Sequence, residues 1–143
     1  MSYQAHHALA RIDLFAGLSD TTLRELIGHG STFTTSAGTP VVEEGSADVG
    51  LQVVLDGTAD IWVNGVQRPS LEPGDYVGEI SMIDGAPRSA TVVAGPDGLT
   101  TFRLSALAFS SAMDNREVSR TLLKALCARI RALEAKIQPE PGD

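Results

Sequence analysis

The sequence predicts a mainly β fold with helices before and after it. Three observations carry that expectation. The hydrophobic period changes from 3.6 to 2 at Ser31 and returns to 3.6 after Leu104. Between those points Gly, Pro, Asn and Asp interrupt the chain at the roughly eight- to twelve-residue spacing of short-stranded β proteins. The runs between the turns are rich in Val, Ile, Leu and Thr, which suit a pleated, half-buried surface. Many short strands with regular turns point to a sandwich, a jelly roll or a barrel.

The elements follow in order. Leu9 to Gly28 reads as helical. Within it, Ser19 or Asp20 can cap a short helix over Thr21 to Ile27, with Leu23, Leu26 and Ile27 on one face and Gly28 as its stop. The turn signals then run Gly38-Thr39-Pro40, Glu44-Gly45-Ser46, Asp56-Gly57, Asn64-Gly65, Pro73-Gly74-Asp75, Asp84-Gly85 and Asp97-Gly98. Strands are expected at Thr39 to Val42, Leu51 to Leu55, Thr58 to Val63, Val66 to Leu71, Ala90 to Ala94 and Thr100 to Leu104. Asn64-Gly65 is the strongest turn, because Asn-Gly accepts the positive φ angles of a type I′ hairpin. Ala59, Ile61 and Val63 alternate with Thr58, Asp60 and Trp62, so one face of that strand is expected to be buried. Ala106 to Asp114 reads as a short helix and Glu117 to Ile137 as a long one, ended by Pro139. In the long helix Leu123, Leu126, Ile130, Leu133 and Ile137 draw a narrow stripe. The stripe suits either a helix lying on its own roll or a dimer seam. Residues 1–137 are read as one domain, divided at 30 and 105 into helices, β body and helices, with 138–143 as a disordered tail.

Composition narrows function. The chain carries 18 acidic against 11 basic residues, a net charge of −7, which argues against general nucleic-acid binding. Ser31 to Asp97 holds ten carboxylates and two cations, Arg68 and Arg88, whereas Arg116 to Lys136 holds six cations against Glu117 and Glu134. The acidic body and the basic segment are expected to dock on each other, or the segment meets an anion, or its charged face is simply solvated. A single cysteine excludes a disulfide framework, and Cys127 beside the apolar stripe reads as a packed thiol. No apolar run is long enough to span a membrane, and no secretory signal is visible, so a cytoplasmic protein is expected. The motifs of serine hydrolases, P-loop nucleotidases and zinc proteases are missing, and His6 and His7, adjacent near a mobile terminus, would point apart on a helix. No metal, no cofactor and no enzymatic activity are expected.

One segment breaks the strand pattern. Gly78-Glu79-Ile80-Ser81-Met82 reads as a single helical turn, Asp84-Gly85 turns the chain, and Pro87-Arg88-Ser89 leads into the strand that starts at Ala90. The first N–H groups of a single turn have no intrahelical partners and carry the positive end of its dipole. Gly78 lets a ligand approach the backbone. Arg88 can pair with a phosphate through two parallel bonds, and Ser89 adds a hydroxyl donor. Glu79 beside an anion site makes sense if the ligand also offers a hydroxyl, as a ribose does. Together these describe a sugar phosphate or nucleotide. A purely structural reading is also open, in which Glu79 caps the turn and Arg88 pairs with Asp84.

Gly78-Glu79-Ile80-Ser81, a short loop, and Arg88-Ser89-Ala90-Thr91-Val92 resemble the phosphate-binding cassette of cyclic nucleotide-binding domains, found in the bacterial catabolite activator protein, cyclic nucleotide-gated channels and regulatory subunits of cyclic-AMP-dependent protein kinase. Leu14-Phe15-x-x-Leu18 resembles the family's entry helix, and Gly38, Gly45, Gly57 and Gly74-Asp75 its corner glycines. The resemblance implies an eight-stranded antiparallel β-roll with N-terminal helices and a C-terminal lid helix. It implies that Arg88 neutralises the cyclic phosphate, that Ser89 and the N–H groups around Ile80, Ser81 and Ala90 bind its oxygens, and that Glu79 accepts the ribose 2′-hydroxyl. Ile61 would touch the base or sugar, and Arg129 on the lid would cap the base. The family often places threonine beside the arginine in cyclic-GMP sites and alanine or serine in cyclic-AMP sites. Ser89 therefore favours cyclic AMP, though its hydroxyl could also meet a guanine amino group. Nothing in the sequence follows the lid helix, so a sensor acting on a protein partner in trans, or as a homodimer through that helix, is expected. The competing expectation is a roll that has become a protein-interaction module and lost its ligand.

Overall fold

The computed structural model describes residues 2–43, 45, 50–78 and 90–137. Its element order is α1 (Ser2–Arg11), α2 (Asp20–Gly28), β1 (Ser31–Thr35), β2 (Pro40–Val42), β3 (Gly50–Val63), β4 (Val66–Leu71), β5 (Tyr76–Val77), β6 (Ala90–Ser105), α3 (Ala106–Ala112) and α4 (Arg116–Lys136). The expected tail over 138–143 lies outside the described residues.

The fold is the expected antiparallel sheet with flanking helices, but among the described residues it has six strands, not eight. The difference has a physical cause. Leu51–Leu55 and Thr58–Val63 are two arms of one strand, β3, and the two runs after Ala90 are two arms of β6. Asp56-Gly57 and Asp97-Gly98 read as turns but serve as bulges. Gly57 and Gly98 both hold positive φ, 81° and 79°, and the β3–β6 register shifts around Gly57. Two short strands carry too little pattern to be seen in the sequence: β1, whose burial is nearly nil, and the two-residue β5. Asn64-Gly65 does form a hairpin turn, with both residues at positive φ between Val63 and its partner Val66.

β3 and β6 form the spine and pair from Gly50 with Ser105 to Val63 with Ala90. The outer edge of β6 receives β1 and β2, and that of β3 receives β5 and β4. The bulges decide the cores. Leu51, Val53 and Leu55 share one face of β3 and pack with Phe102, Leu104 and the helices. Val54 faces the other way, towards Val42, Ala59, Val92, Ala94 and Leu99. Val54 is even-numbered and Ala59 odd, so the extra residue at the bulge has switched the alternation. The first arm of β3 is thus buried on both faces. The expected one-faced alternation of its second arm is blurred, since Ala59 is buried while Ile61, Trp62 and Val63 are all half-buried. Gln52 is buried on the second side, where its Nε2 donates to the Val41 carbonyl at 3.2 Å.

The helical layer is reached from both chain ends. α1 ends at Arg11, so the expected helix over Leu9 to Gly28 is broken, and the Leu14-Phe15-x-x-Leu18 segment runs through turns that bury Leu14 and Phe15 in the same core. α1 starts at Ser2, earlier than expected, and buries Ala5 and Leu9 at helical spacing. His6 and His7 therefore belong to α1. They diverge as expected: His6 Nε2 meets Asp20 at 2.9 Å, and His7 Nε2 meets Arg11 at 3.3 Å. Ser19 caps α2, as the sequence allows; Gly28 is its last residue and His29 its C-cap, in a right-handed conformation. α4 is capped by Asn115, whose Oδ1 accepts from the N–H groups of Glu117 and Val118.

α4 docks on a different face from the one its stripe suggested. Val118, Leu122 and Ala125 are buried against α1, α2 and the sheet. Leu126 is half-buried, but Leu123, Ile130, Leu133 and Ile137 are 56–80% exposed. The stripe therefore does not lie on its own roll. Cys127, expected to pack, is exposed for the same reason. Arg116, Arg120, Lys124 and Arg131 are exposed too, and form no ion pair among the described residues. That part of the basic face is solvated among the described residues, while Arg129 meets Asp13 of the α1–α2 connection.

Glu117 locks α4 to α2. Its carboxylate accepts the Ser19 N–H, the Thr22 hydroxyl at 2.9 Å and the Ser19 hydroxyl at 3.2 Å, and so completes the N-terminal cap of another helix. The Ser19 backbone bond, then the Thr22 hydroxyl, holds its carboxyl below the ordinary glutamate value. A depressed native pKa means the unfolded chain takes up the proton first. The stabilisation is therefore complete above the unfolded value, about 4.3, and is lost as pH falls through the lower native value. Thermal unfolding of Glu117→Gln should fall short of wild type at neutral pH, and the gap should close in acid. A gap that stays constant from neutrality to about pH 3 would show that ionisation of Glu117 contributes nothing.

Candidate functional site

The residues that bound the expected cassette are both held by β3. On the near side, Tyr76 and Val77 pair with Val53 and Gln52, and the chain leaves β5 through Gly78 at φ 101°. That φ is in the left-handed region, where a side chain would be strained, so glycine is needed here for backbone reasons alone. On the far side, Ala90 starts β6 opposite Val63. Glu79, Ile80, Ser81, Arg88 and Ser89 lie outside the described residues.

Ile61 is brought to the same place. It pairs with Val92, as Val63 pairs with Ala90. Directly opposed residues put their side chains on one face of a sheet. Ile61 and Ala90 therefore share the face of Val92, which belongs to the buried cluster inside the roll. Val77 packs on that cluster as well. Ile61 and Ala90 thus lie on one wall of the roll interior, half-buried and apolar, and Val77, just before Gly78, packs on the same cluster. Such a wall suits a flat base or sugar beside a separately bound anion.

Arg129 sits elsewhere. Its Nε is 3.7 Å from Asp13 Oδ2, and its guanidinium lies 5.1 Å from the centre of the Tyr76 ring. Tyr76 packs on the helix-side core, while Val77 packs on the roll side. Arg129 is therefore on the opposite face of β5 from the wall formed by Ile61 and Ala90. The sequence offered no reason to pick Asp13 or Tyr76. The one hint was Tyr76's position in Gly74-Asp75-Tyr76-Val77-Gly78, directly before the cassette.

Among the described residues no cluster of His, Cys, Asp and Glu could hold a metal ion, and no helix is long and apolar enough to cross a membrane.

Residues 33–116 match the model of the cyclic nucleotide-binding domain. The chain belongs to that family. A cAMP-dependent protein kinase regulatory subunit of Aspergillus niger is 38% identical over 63 residues, 43% of this chain and 15% of the relative. A cGMP-dependent protein kinase of Toxoplasma gondii is 39% identical over 57 residues, 40% of this chain and 6% of the relative. The match thus spans a small part of each of these curated relatives. Among solved structures, the N-terminal domain of a transcriptional regulator from Streptomyces coelicolor A3(2) superposes with a TM-score of 0.79 at 26% identity, covering 95% of this chain and 99% of that one.

Proposed function

We propose that this cyclic nucleotide-binding domain is a cyclic AMP sensor whose signal leaves through movement of α4. Ligand binding is assigned to Gly78, Glu79, Ile80, Ser81, Arg88, Ser89 and Ala90, with Ile61 against the base or sugar. The observation that carries this reading is the position of the cassette sequence. It falls between β5 and β6, which both pair with β3, and its last residue shares the interior face with Ile61. Arg88 supplies the charge for the cyclic phosphate. Ser89, rather than threonine, supports cyclic AMP over cyclic GMP. No bond of the ligand is broken, and no acid–base pair or metal is called on. α4 offers the output: its exposed stripe of Leu123, Ile130, Leu133 and Ile137 suits a second helix, from a protein partner or a second copy of the chain.

Calorimetric titration with cyclic AMP and cyclic GMP tests the reading directly. Cyclic AMP is expected to bind more tightly. Tighter cyclic GMP binding would reassign the ligand. No binding of either would favour the alternative, a roll retained as a protein-interaction module. A second titration addresses Glu79. If its carboxylate accepts the ribose hydroxyl, 2′-deoxy cyclic AMP loses one charge-assisted bond, worth about 1.5–3 kcal/mol, so roughly ten- to a hundredfold in affinity. Glu79→Ala should erase most of that difference. Equal binding of both ligands by the wild-type chain would leave Glu79 only a capping role.

A further inference from the structure

Asp13, Tyr76 and Arg129 form a set in which each group touches the other two. The Tyr76 hydroxyl donates to Asp13 Oδ1. The second carboxylate oxygen of Asp13 faces Arg129 Nε at 3.7 Å, and the Arg129 guanidinium lies over the Tyr76 ring. The three come from the α1–α2 connection, β5 and α4, far apart in sequence.

Their positions matter more than their individual strengths. Arg129 is the last residue of α4 that is even half-buried; every residue from Ile130 to Ile137 is exposed. Up to Leu126 the helix is fixed by its apolar contacts with the core and by Glu117 on α2. Beyond it, the direction of the exposed stripe depends on where Arg129 is held. Tyr76, at the other corner, belongs to a strand of two residues that pairs with Gln52 and Val53, is preceded by backbone bonds of Gly74 and Asp75 to Val54, and lies two residues before Gly78. The bonds to Val54 anchor its entry, and its exit towards Gly78 can shift without breaking the β3–β6 pairing.

We infer that the Asp13–Tyr76–Arg129 triad is the joint through which the strand entering the cassette sets the position of distal α4. For what moves that strand, the inference rests on the cyclic nucleotide reading above. It also reassigns Arg129. A guanidinium held by Asp13 and Tyr76 on one face of β5 does not at the same time cap a base on the other face. Arg129 acts as a positioning residue, and ligand shifts it only by binding one arrangement of β5 better than the other.

Amide hydrogen exchange on the full chain tests this in two arms. Without ligand, Asp13→Asn, Tyr76→Phe and Arg129→Gln should each speed exchange over residues 126–134 by about two- to fivefold, the range of one partly exposed charge contact. Exchange over residues 9–26 should stay unchanged. Tyr76→Phe removes the bond to Asp13 and keeps the ring, so within one network the Tyr76→Phe/Arg129→Gln double variant should speed exchange by less than the product of the two single effects. Wild-type rates in the single variants, or effects that multiply as at independent sites, would overturn the joint. In the second arm cyclic AMP is added. The wild-type chain should respond at residues 90–94 and at 126–134, and Tyr76→Phe should keep the first response and lose the second. A response at 126–134 that survives in Tyr76→Phe overturns the coupling. If the wild-type chain binds no cyclic AMP, the sensor reading fails, and ligand-driven movement fails with it. The ligand-free arm then still decides whether the triad holds α4.

Discussion

Arg88→Ala is expected to weaken cyclic AMP binding by about thirtyfold or more while leaving the fold intact. Only Arg68 and Arg88 oppose ten carboxylates between Ser31 and Asp97, so the body of the domain repels a phosphate unless a cation is placed at the site. Arg88 is placed by sequence just ahead of Ala90, whose pairing with Val63 starts β6. Removing one member of a desolvated charge pair costs roughly 2–5 kcal/mol, because the other charge loses its partner without regaining water. At about 1.4 kcal/mol per tenfold, the low end of that range is already near thirtyfold. Arg88→Lys separates charge from shape. Lysine keeps the charge but not the two parallel donors, so its affinity should fall between those of Ala and wild type. Calorimetry on variants with wild-type circular dichroism reads both. Unchanged affinity in Arg88→Ala would remove the cassette assignment.

How much of this was legible in the sequence depended on whether a signal was local. Ser19 as an N-cap, the Asn64-Gly65 hairpin, the short helix after Ser105 and the long one after Asn115 are each written in a few adjacent residues. The proposed cassette, most of which lies outside the described residues, rests on a signal that is local in the same sense, since glycine, carboxylate, arginine and hydroxyl fall within a dozen residues. What failed to show was whatever depends on a distant partner. Glycine after aspartate looks the same at a chain reversal as at a bulge, so β3 and β6 were cut in two. The stripe from Leu123 to Ile137 is more regular than the face formed by Val118, Leu122 and Ala125, yet α4 docks through the latter. The body offers a buried surface only to the first half of the helix, and a periodic pattern does not record where that surface ends. Asp13, Tyr76 and Glu117 were missed for the same reason. Their partners are 63, 63 and 98 residues away in sequence.

Gly57→Ala is expected to be among the most destabilising single changes in the chain, although it adds one methyl group at a half-buried position. Two costs combine. The backbone there holds φ at 81°, which costs a residue with a Cβ about 1–2 kcal/mol. The added Cβ would also stand 2.2 Å from the Gly98 carbonyl oxygen and 3.3 Å from the Leu99 Cα. These are backbone atoms of β6, so no side chain can rotate away. The two bulges would have to separate where β3 and β6 both switch their buried faces, disturbing Val54, Ala59 and Leu99 together. Gly65→Ala provides the comparison. Its φ is 77°, nearly the same, but nothing lies within 4 Å of the added Cβ. That variant should lose only the backbone cost, about 1–2 kcal/mol. Gly57→Ala should lose about 3 kcal/mol or more, in the range of a disrupted core. Urea unfolding of the two variants beside wild type measures the difference. Equal losses would mean that the facing bulges tolerate a methyl group, and that Gly57 is required for its φ alone.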